Sequence, residues 1–415
     1  MKIWTVAVLT CLLLVTATTA QAEATNSTSP SALISKTPKC AVSCIIDGLL
    51  DGGCSVADAT NCVCTNNTLR AQMSRCIQTS CIYADRMAIA RGSRGLCRGY
   101  PIEDRRHLIR IASIALPIVT FVIFLMRCLS RFMVARKLWW DDWTALMAMS
   151  FLVVSCVLSN ITYRLGFGLH YWDIDPDNGK TILQLFYASQ MTYIMILLSA
   201  KASVCALYYR IFCYQWFRLA VRIFFVLLVI HGTLFLFLIM FQCVPISAVW
   251  DRSIDGRCLN LTAISFSGAS TAILEDFILI LFPIPALMKL SMGPRKRMGL
   301  MLLFGFGSFA IIASIIRLKY LVLFSHSYDP IWDYFNSSVW SAIEVNSAII
   351  CGSLPAIYPL IKKISDAFGR IRKNAESVGN KESTVTRQSQ SDDTIKVSQT
   401  SRESVTVESA KDDFS

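Results

Sequence analysis

Asp58 lies in the run CSVADATNCVC, residues 54–64, with Cys54, Cys62 and Cys64 around it. An acid in such a loop either binds something or caps a helix, since Asp is a favoured N-cap. A second set of reactive letters falls inside long apolar runs: Lys201, Glu275, Asp276, Arg317 and Glu344, with His231 also embedded. Ionisable groups in membrane-length apolar segments are costly and mark functional sites by default. Two bases and three acids also suit an ion-pair network that holds helices in register, and the sequence leaves both readings open. His231 reads as a packing residue. Glu275 and Asp276 are neighbours that project about 100° apart on a helix, so they are not expected to act as one carboxylate pair.

The cysteines set the frame around Asp58. Eight of the sixteen lie between residues 40 and 97: Cys40, Cys44, Cys54, Cys62, Cys64, Cys76, Cys81 and Cys97. An even set packed this densely reads as four disulfides. So short a segment buries too little apolar area to hold itself, and crosslinks substitute for core. Sequence alone does not choose among the possible pairings. Zinc is excluded by the absence of a Cys-x-x-Cys pair here and by an oxidising compartment.

The spacing runs Cys40-x-x-x-Cys44, nine residues to Cys54, then Asp58 and Cys62-x-Cys64, eleven residues to Cys76, four to Cys81 and fifteen to Cys97. This resembles the CFEM domain, a fungal eight-cysteine extracellular module, at every cysteine and at the aspartate between the third and fourth. The resemblance implies a role for Asp58. In haem-binding members this aspartate is the axial ligand to ferric haem iron, which elsewhere takes His, Cys, Met or Tyr. Ile45, Ile46, Leu49, Leu50 and Val56 would then floor the porphyrin. The alternative remains an N-cap, with the same aliphatic side chains as core.

Composition identifies the elements that must position the other residues. The chain has 415 residues, 54% hydrophobic and 16% charged, against roughly a quarter charged in soluble chains. Residues 1–22 read as a secretory signal peptide, with a lysine, a short apolar core and small residues before the cut. From residue 108 seven apolar runs follow, each near the ~20 residues a membrane span needs: 108–126, 143–161, 182–207, 219–242, 265–288, 298–324 and 338–361. Helices are expected, because lipid satisfies no backbone polar group. The fold class is therefore all-α: a small disulfide-rich extracellular module over 38–98, a seven-transmembrane-helix bundle over 108–363, and a disordered cytoplasmic tail over 364–415, rich in Ser, Thr and charge.

Orientation rests on two observations. The inner loops of this topology carry Arg127, Arg131, Arg136, Lys137, Arg210, Arg218, Arg222, Lys289, Arg295, Lys296 and Arg297, as the positive-inside rule requires. Arg98, Arg105, Arg106 and Arg110 crowd the outer end of the first span against that rule. The sequons at Asn26, Asn66, Asn160, Asn260 and Asn336 all fall outside, with Asn160 close to the membrane. Cys243 and Cys258 share an outer loop and are expected to pair. Cys128, Cys156, Cys205, Cys213 and Cys351 read as inert. The net charge of +12 follows from loop topology and from a basic juxtamembrane cluster suited to anionic lipid; no nucleic-acid partner is expected.

An ordered set of short motifs spans the apolar region: Lys137-Leu-Trp139-Trp140-Asp141-Asp142-Trp143, Gly166-Phe-Gly168-Leu-His170, Lys201-Ala-Ser203 with Tyr209-Arg210, Glu275-Asp276 with Pro283-Ile-Pro285, and Glu344-Val-Asn346 with Ser353-Leu-Pro355. Together they resemble the fungal rhodopsin-like seven-helix family, which includes Pth-eleven-type receptors and membrane domains like satratoxin cluster protein four. The resemblance implies a plasma-membrane receptor of a filamentous fungus that senses host or surface cues and is linked to pathogenicity, with a heterotrimeric G protein as a possible partner. Tyr209-Arg210 lacks the acid that precedes the arginine in animal receptors, and no asparagine precedes Pro355. Two other functions stay open: haem or iron acquisition at the surface, and suppression of host immunity. No phosphate loop, nucleophile–base pair or metal cluster is present in the sequence, so no enzyme is expected.

Overall fold

A computed structural model describes residues 37–55, 58–251, 253–288, 294–325 and 329–409. The signal peptide and Asn26 lie outside the described residues. The chain divides into two compact units, Met1–Ala356 and Ile357–Ser415.

The cysteine-rich segment folds as four short helices: α1 (Lys39–Asp51), α2 (Ala59–Thr65), α3 (Asn67–Ser80) and α4 (Tyr83–Leu96). The structure resolves the pairing the sequence left open: Cys40–Cys81, Cys44–Cys76, Cys54–Cys62 and Cys64–Cys97. Two bridges tie α1 to α3 and its end, one closes the loop holding Asp58, and one ties α2 to the end of α4. The apolar interior is small: Ala41, Leu69, Met73 and Ala90 are buried with four of the half-cystines. This is a fold held by crosslinks, as the short span requires.

Seven membrane-length apolar helices follow. The first is α5 (Arg106–Ser130), which widens into a π-turn at Arg131–Ala135 before Arg136 reverses the chain at φ 47°. Then come α6 (Trp140–Arg164), α7 (Gly179–Ile211) and α8 (Gln215–Met240). A two-residue hairpin, β1 (Cys243–Val244) with β2 (Arg257–Cys258), is closed by the expected Cys243–Cys258 disulfide. Beyond it are α9 (Leu261–Leu281), the short α10 (Pro283–Met288), α11 (Pro294–Ser325) and α12 (Pro330–Ser409). All seven expected spans overlap observed ones, and three of them, the second, third and seventh, extend further at both ends.

α12 departs from expectation. The tail expected to lack structure after about residue 374 continues helical to Ser409. Proline in a helix interior tends to break it, and none occurs after Pro359. The expected glycan positions also differ in availability. Asn66 and Asn260 are exposed helix caps, accepting from Leu69 and Ala263 backbone N–H at 3.1 Å each. Asn160 is buried on α6, and its Nδ2 donates to the Cys156 carbonyl at 2.8 Å. That nitrogen is the atom a glycan would occupy, so Asn160 is not a glycan site in this fold. Asn336 lies half-buried within the α12 span.

Candidate ligand cavity and the ion clusters around it

A cavity of about 260 Å³ lies within the bundle. It opens among α5, α6, α7, α8, α9, α11 and α12. Phe167, from the segment between α6 and α7, lines the end nearer the disulfide module, and Lys201, Glu275 and Arg317 line the other. Apolar walls come from residues such as Leu197, Leu228, Phe235 and Val345.

The five charged residues singled out in the sequence converge here as two clusters. Lys201 on α7 is buried, and Nζ donates to the Ala272 carbonyl at 2.8 Å and to Glu275 at 3.1 Å, with Asp276 also 2.8 Å away. The two adjacent acids of α9 therefore do meet on one cation, contrary to the expectation from their 100° separation; the ammonium sits between them. Arg317 on α11 lies 2.7 Å from Glu344 on α12, off hydrogen-bonding angle, and Glu344 also accepts from the Tyr193 hydroxyl at 2.8 Å and the Ser314 hydroxyl at 2.6 Å. His231 is not merely packed: Nδ1 is 2.7 Å from Glu275 and Nε2 is 2.7 Å from the Thr271 hydroxyl.

A third cluster escaped the sequence reading. At the end of the bundle away from the module, Asp141 is 1% exposed and is met by Arg127 at 2.9 Å, Arg131 at 2.6 Å and Arg210 at 3.4 Å. Asp142 takes Arg127 of α5 and Arg131 of the π-turn at 3.1 Å each and accepts from the Trp139 N–H, closing the α6 start. Arg127 also donates to the Gly352 carbonyl at 2.6 Å, and Ser203 to the Asp141 carbonyl at 2.9 Å. Four helices, α5, α6, α7 and α12, are joined at one buried acid. The arginines read in the sequence as a basic loop; the only hint of their role was the Asp141-Asp142 pair at the same end.

The module is fastened to the bundle by charge. Arg70, Arg91 and Arg94 of the module pair with Asp173, Asp177 and Asp175 of the loop between α6 and α7. The Arg70–Asp173 pair is buried, whereas the other two are exposed. Burial opposes ionisation of Asp175, but the Arg94 guanidinium and the Asp177 N–H more than offset it and hold its carboxyl below the usual range. Beside them His170 stacks between Trp172 and Trp332, at 4.7 and 3.8 Å, with Nδ1 2.8 Å from Asp329. Of the arginines that crowded the first span, Arg106 binds Asp104 at 2.7 Å, and Arg105 lies 3.9 Å over Trp332. Hydrogen bonding by Arg106 holds Asp104 below the usual carboxylate range, against a smaller opposing effect of burial.

Asp58 occupies the residue before α2 but makes no capping bond to its backbone. Its Oδ2 instead accepts from the Asn61 side chain at 3.2 Å, and the residue is exposed. On α1, Val42, Ile46 and Leu50 are exposed at four-residue spacing, one apolar stripe. The floor expected from the sequence is thus partly surface.

The match to known families decides the class. Residues 126–363 match the fungal rhodopsin domain, and residues 33–98 match the CFEM domain. The chain belongs to the fungal rhodopsin domain family and carries an N-terminal CFEM domain. It is 27% identical over 210 residues to a SAT4 family membrane protein of Emericella nidulans, covering 50% of this chain and 52% of that one. It is 23% identical over 244 residues to the wortmanamides biosynthesis cluster protein C of Talaromyces wortmannii, covering 57% and 66%. It is 24% identical over 242 residues to Receptor GIN3 of Arthrobotrys oligospora, covering 57% of each. The chain thus spans between about half and two thirds of the length of these relatives. No solved structure matches.

Proposed function

We propose that the protein is a plasma-membrane receptor whose seven-helix bundle binds a small molecule, with the CFEM domain outside and the C-terminus inside. The observation that carries this reading is the cavity: a mostly apolar space of about 260 Å³ whose wall touches two interhelical ion clusters. Small-molecule sites have this character, with a few placed polar groups in an apolar wall. A ligand there changes what packs beside Lys201 and Arg317, and thereby the helix positions they fix. The relative named as a receptor supports the same reading. Coupling to a G protein and a part in pathogenicity belong to it as extensions. The test is a deletion strain challenged with external cues. Loss of a transcriptional response, with growth unchanged under iron limitation, is expected; an unchanged response to every cue together with an iron-dependent growth defect overturns it.

A second reading concerns Asp58 and ferric haem. The residues fit: the carboxylate is free of capping duty and exposed, in a loop closed by Cys54–Cys62, and α1 presents an apolar stripe. Asp58 would hold the iron, and Ile46 and Leu50 would contact the porphyrin; the haem would supply iron for uptake or a redox-active centre. Asp58→Asn preserves volume and removes the anionic donor. Full-length protein titrated with ferric haem is expected to show a Soret shift that the variant weakens at least about tenfold, or ~1.4 kcal/mol. Equal titrations of the two proteins would refute the ligand role.

A further inference from the structure

The cavity wall sorts its polar groups by charge. The charged ones already have partners within the protein. Lys201 directs its three Nζ hydrogens at Ala272, Glu275 and Asp276. Arg317 is charge-paired with Glu344 at 2.7 Å, although its Nε makes no hydrogen bond, and Tyr193 donates to that same carboxylate. The third carboxylate, Glu275, is met by His231 as well as by Lys201.

The neutral groups divide differently. Thr162, Ser189 and Ser341 return their hydroxyl protons to carbonyls one turn back, at 2.7, 2.8 and 2.9 Å. Ser155 and Ser159 on α6, Gln190 on α7, and Tyr334 and Ser338 on α12 also line the cavity, and their side chains make no hydrogen bond to any described residue. The Gln190 Oε1 is fully buried and unpartnered. Ser155 and Ser159 are four residues apart and share one face of α6. Unpaired polar groups in an apolar enclosure are costly, and a ligand that bonds them recovers that cost. An ion entering the same space would find every counter-charge already paired, and its desolvation would go uncompensated.

The geometry points to an uncharged, largely apolar occupant that carries hydroxyl or carbonyl oxygens, bound through Gln190 and the serines of α6 and α12. This rests on the reading of the bundle as a receptor and names the chemical class of its ligand. The ion clusters at the far end of the cavity then act as a filter that rejects charged analogues, while the carboxamide of Gln190, able to donate or accept on turning over, accommodates either oxygen type.

The test uses full-length protein in detergent and three probes of equal size: 2-phenylethanol, 2-phenylethylammonium and phenylacetate. Saturation-transfer NMR at neutral pH is expected to show the alcohol bound about tenfold more tightly than either ion. Gln190→Leu and the paired change Ser155→Ala with Ser159→Ala, which are small truncations, should each weaken the alcohol severalfold while the unfolding temperature holds. Preferential binding of either ion overturns the ligand class and leaves the cavity as a ligand site. Binding of none of the probes, or alcohol binding unmoved by both variants, removes the cavity site and with it the receptor reading.

Discussion

At the residue scale, Lys201 is the most exposed to a single change. Lys201→Met removes the one ammonium shared by Glu275 and Asp276 and leaves two carboxylates in a dry interior. Breaking such a buried pair costs about 3–5 kcal/mol. A clear fall in unfolding temperature in detergent is expected, with partial recovery when Glu275→Gln and Asp276→Asn are added; no fall would show that the cluster is hydrated. An ionisable letter inside an apolar run is conspicuous, so the members of these clusters were legible. Their pairing was not, because Lys201 and Glu275 are 74 residues apart and only the packing of α7 on α9 brings them together. Asp141 was missed for the opposite reason: at a helix start, next to tryptophans, an acid looks interfacial. Asp58 was read at the right position, and its freedom from capping became visible only once the α2 backbone was in place.

At the element scale, the seven spans were legible from length and apolar content, whereas the fastening of the module was not. Alternate aspartates at 173, 175 and 177 in a polar loop carry no sign that three arginines of another segment will meet them. Arg70→Ala leaves Asp173 buried without its partner, so faster proteolysis within residues 99–105 is expected; cleavage at the wild-type rate would mean the module is held by other contacts. Acid should act on the exposed links. Asp251 is held near a pKa of about 2, mainly by its hydrogen bond from Lys180, and Asp175 is depressed in the same direction. A depressed carboxylate contributes above its unfolded pKa of about 3.9 and loses that contribution as pH falls through the folded value. Protection factors in α4 and in the Cys243–Cys258 loop, taken from hydrogen exchange corrected for its intrinsic pH dependence, should therefore hold from pH 7 to 5 and fall below about pH 4. Gly168 is a backbone test of the same junction: its φ of +102° is one L residues rarely adopt, and an added Cβ would meet Arg106 at 3.3 Å. Gly168→Ala is expected to cost at least about 1–2 kcal/mol, seen as a lower unfolding temperature.

At the scale of the whole molecule, the charge pattern favours the orientation proposed above. An epitope after Asn26 should be reached by antibody on intact wall-stripped cells and one after Ser409 should not; the reverse would invert the topology. The buried knot at Asp141 has a consequence for how the chain is made. Arg127 and Arg131 meet Asp141 and Asp142 within 15 residues, so the first two spans can neutralise each other as a hairpin while the ribosome is still translating. Lys201 must wait for acids 74 residues downstream. Nascent chains ending near residue 170 should therefore settle in the bilayer unaided. Those ending near residue 245 carry an unmatched ammonium and should recruit membrane chaperones or be degraded, and release at about residue 290, once the acids have entered, would mark the moment the bundle closes.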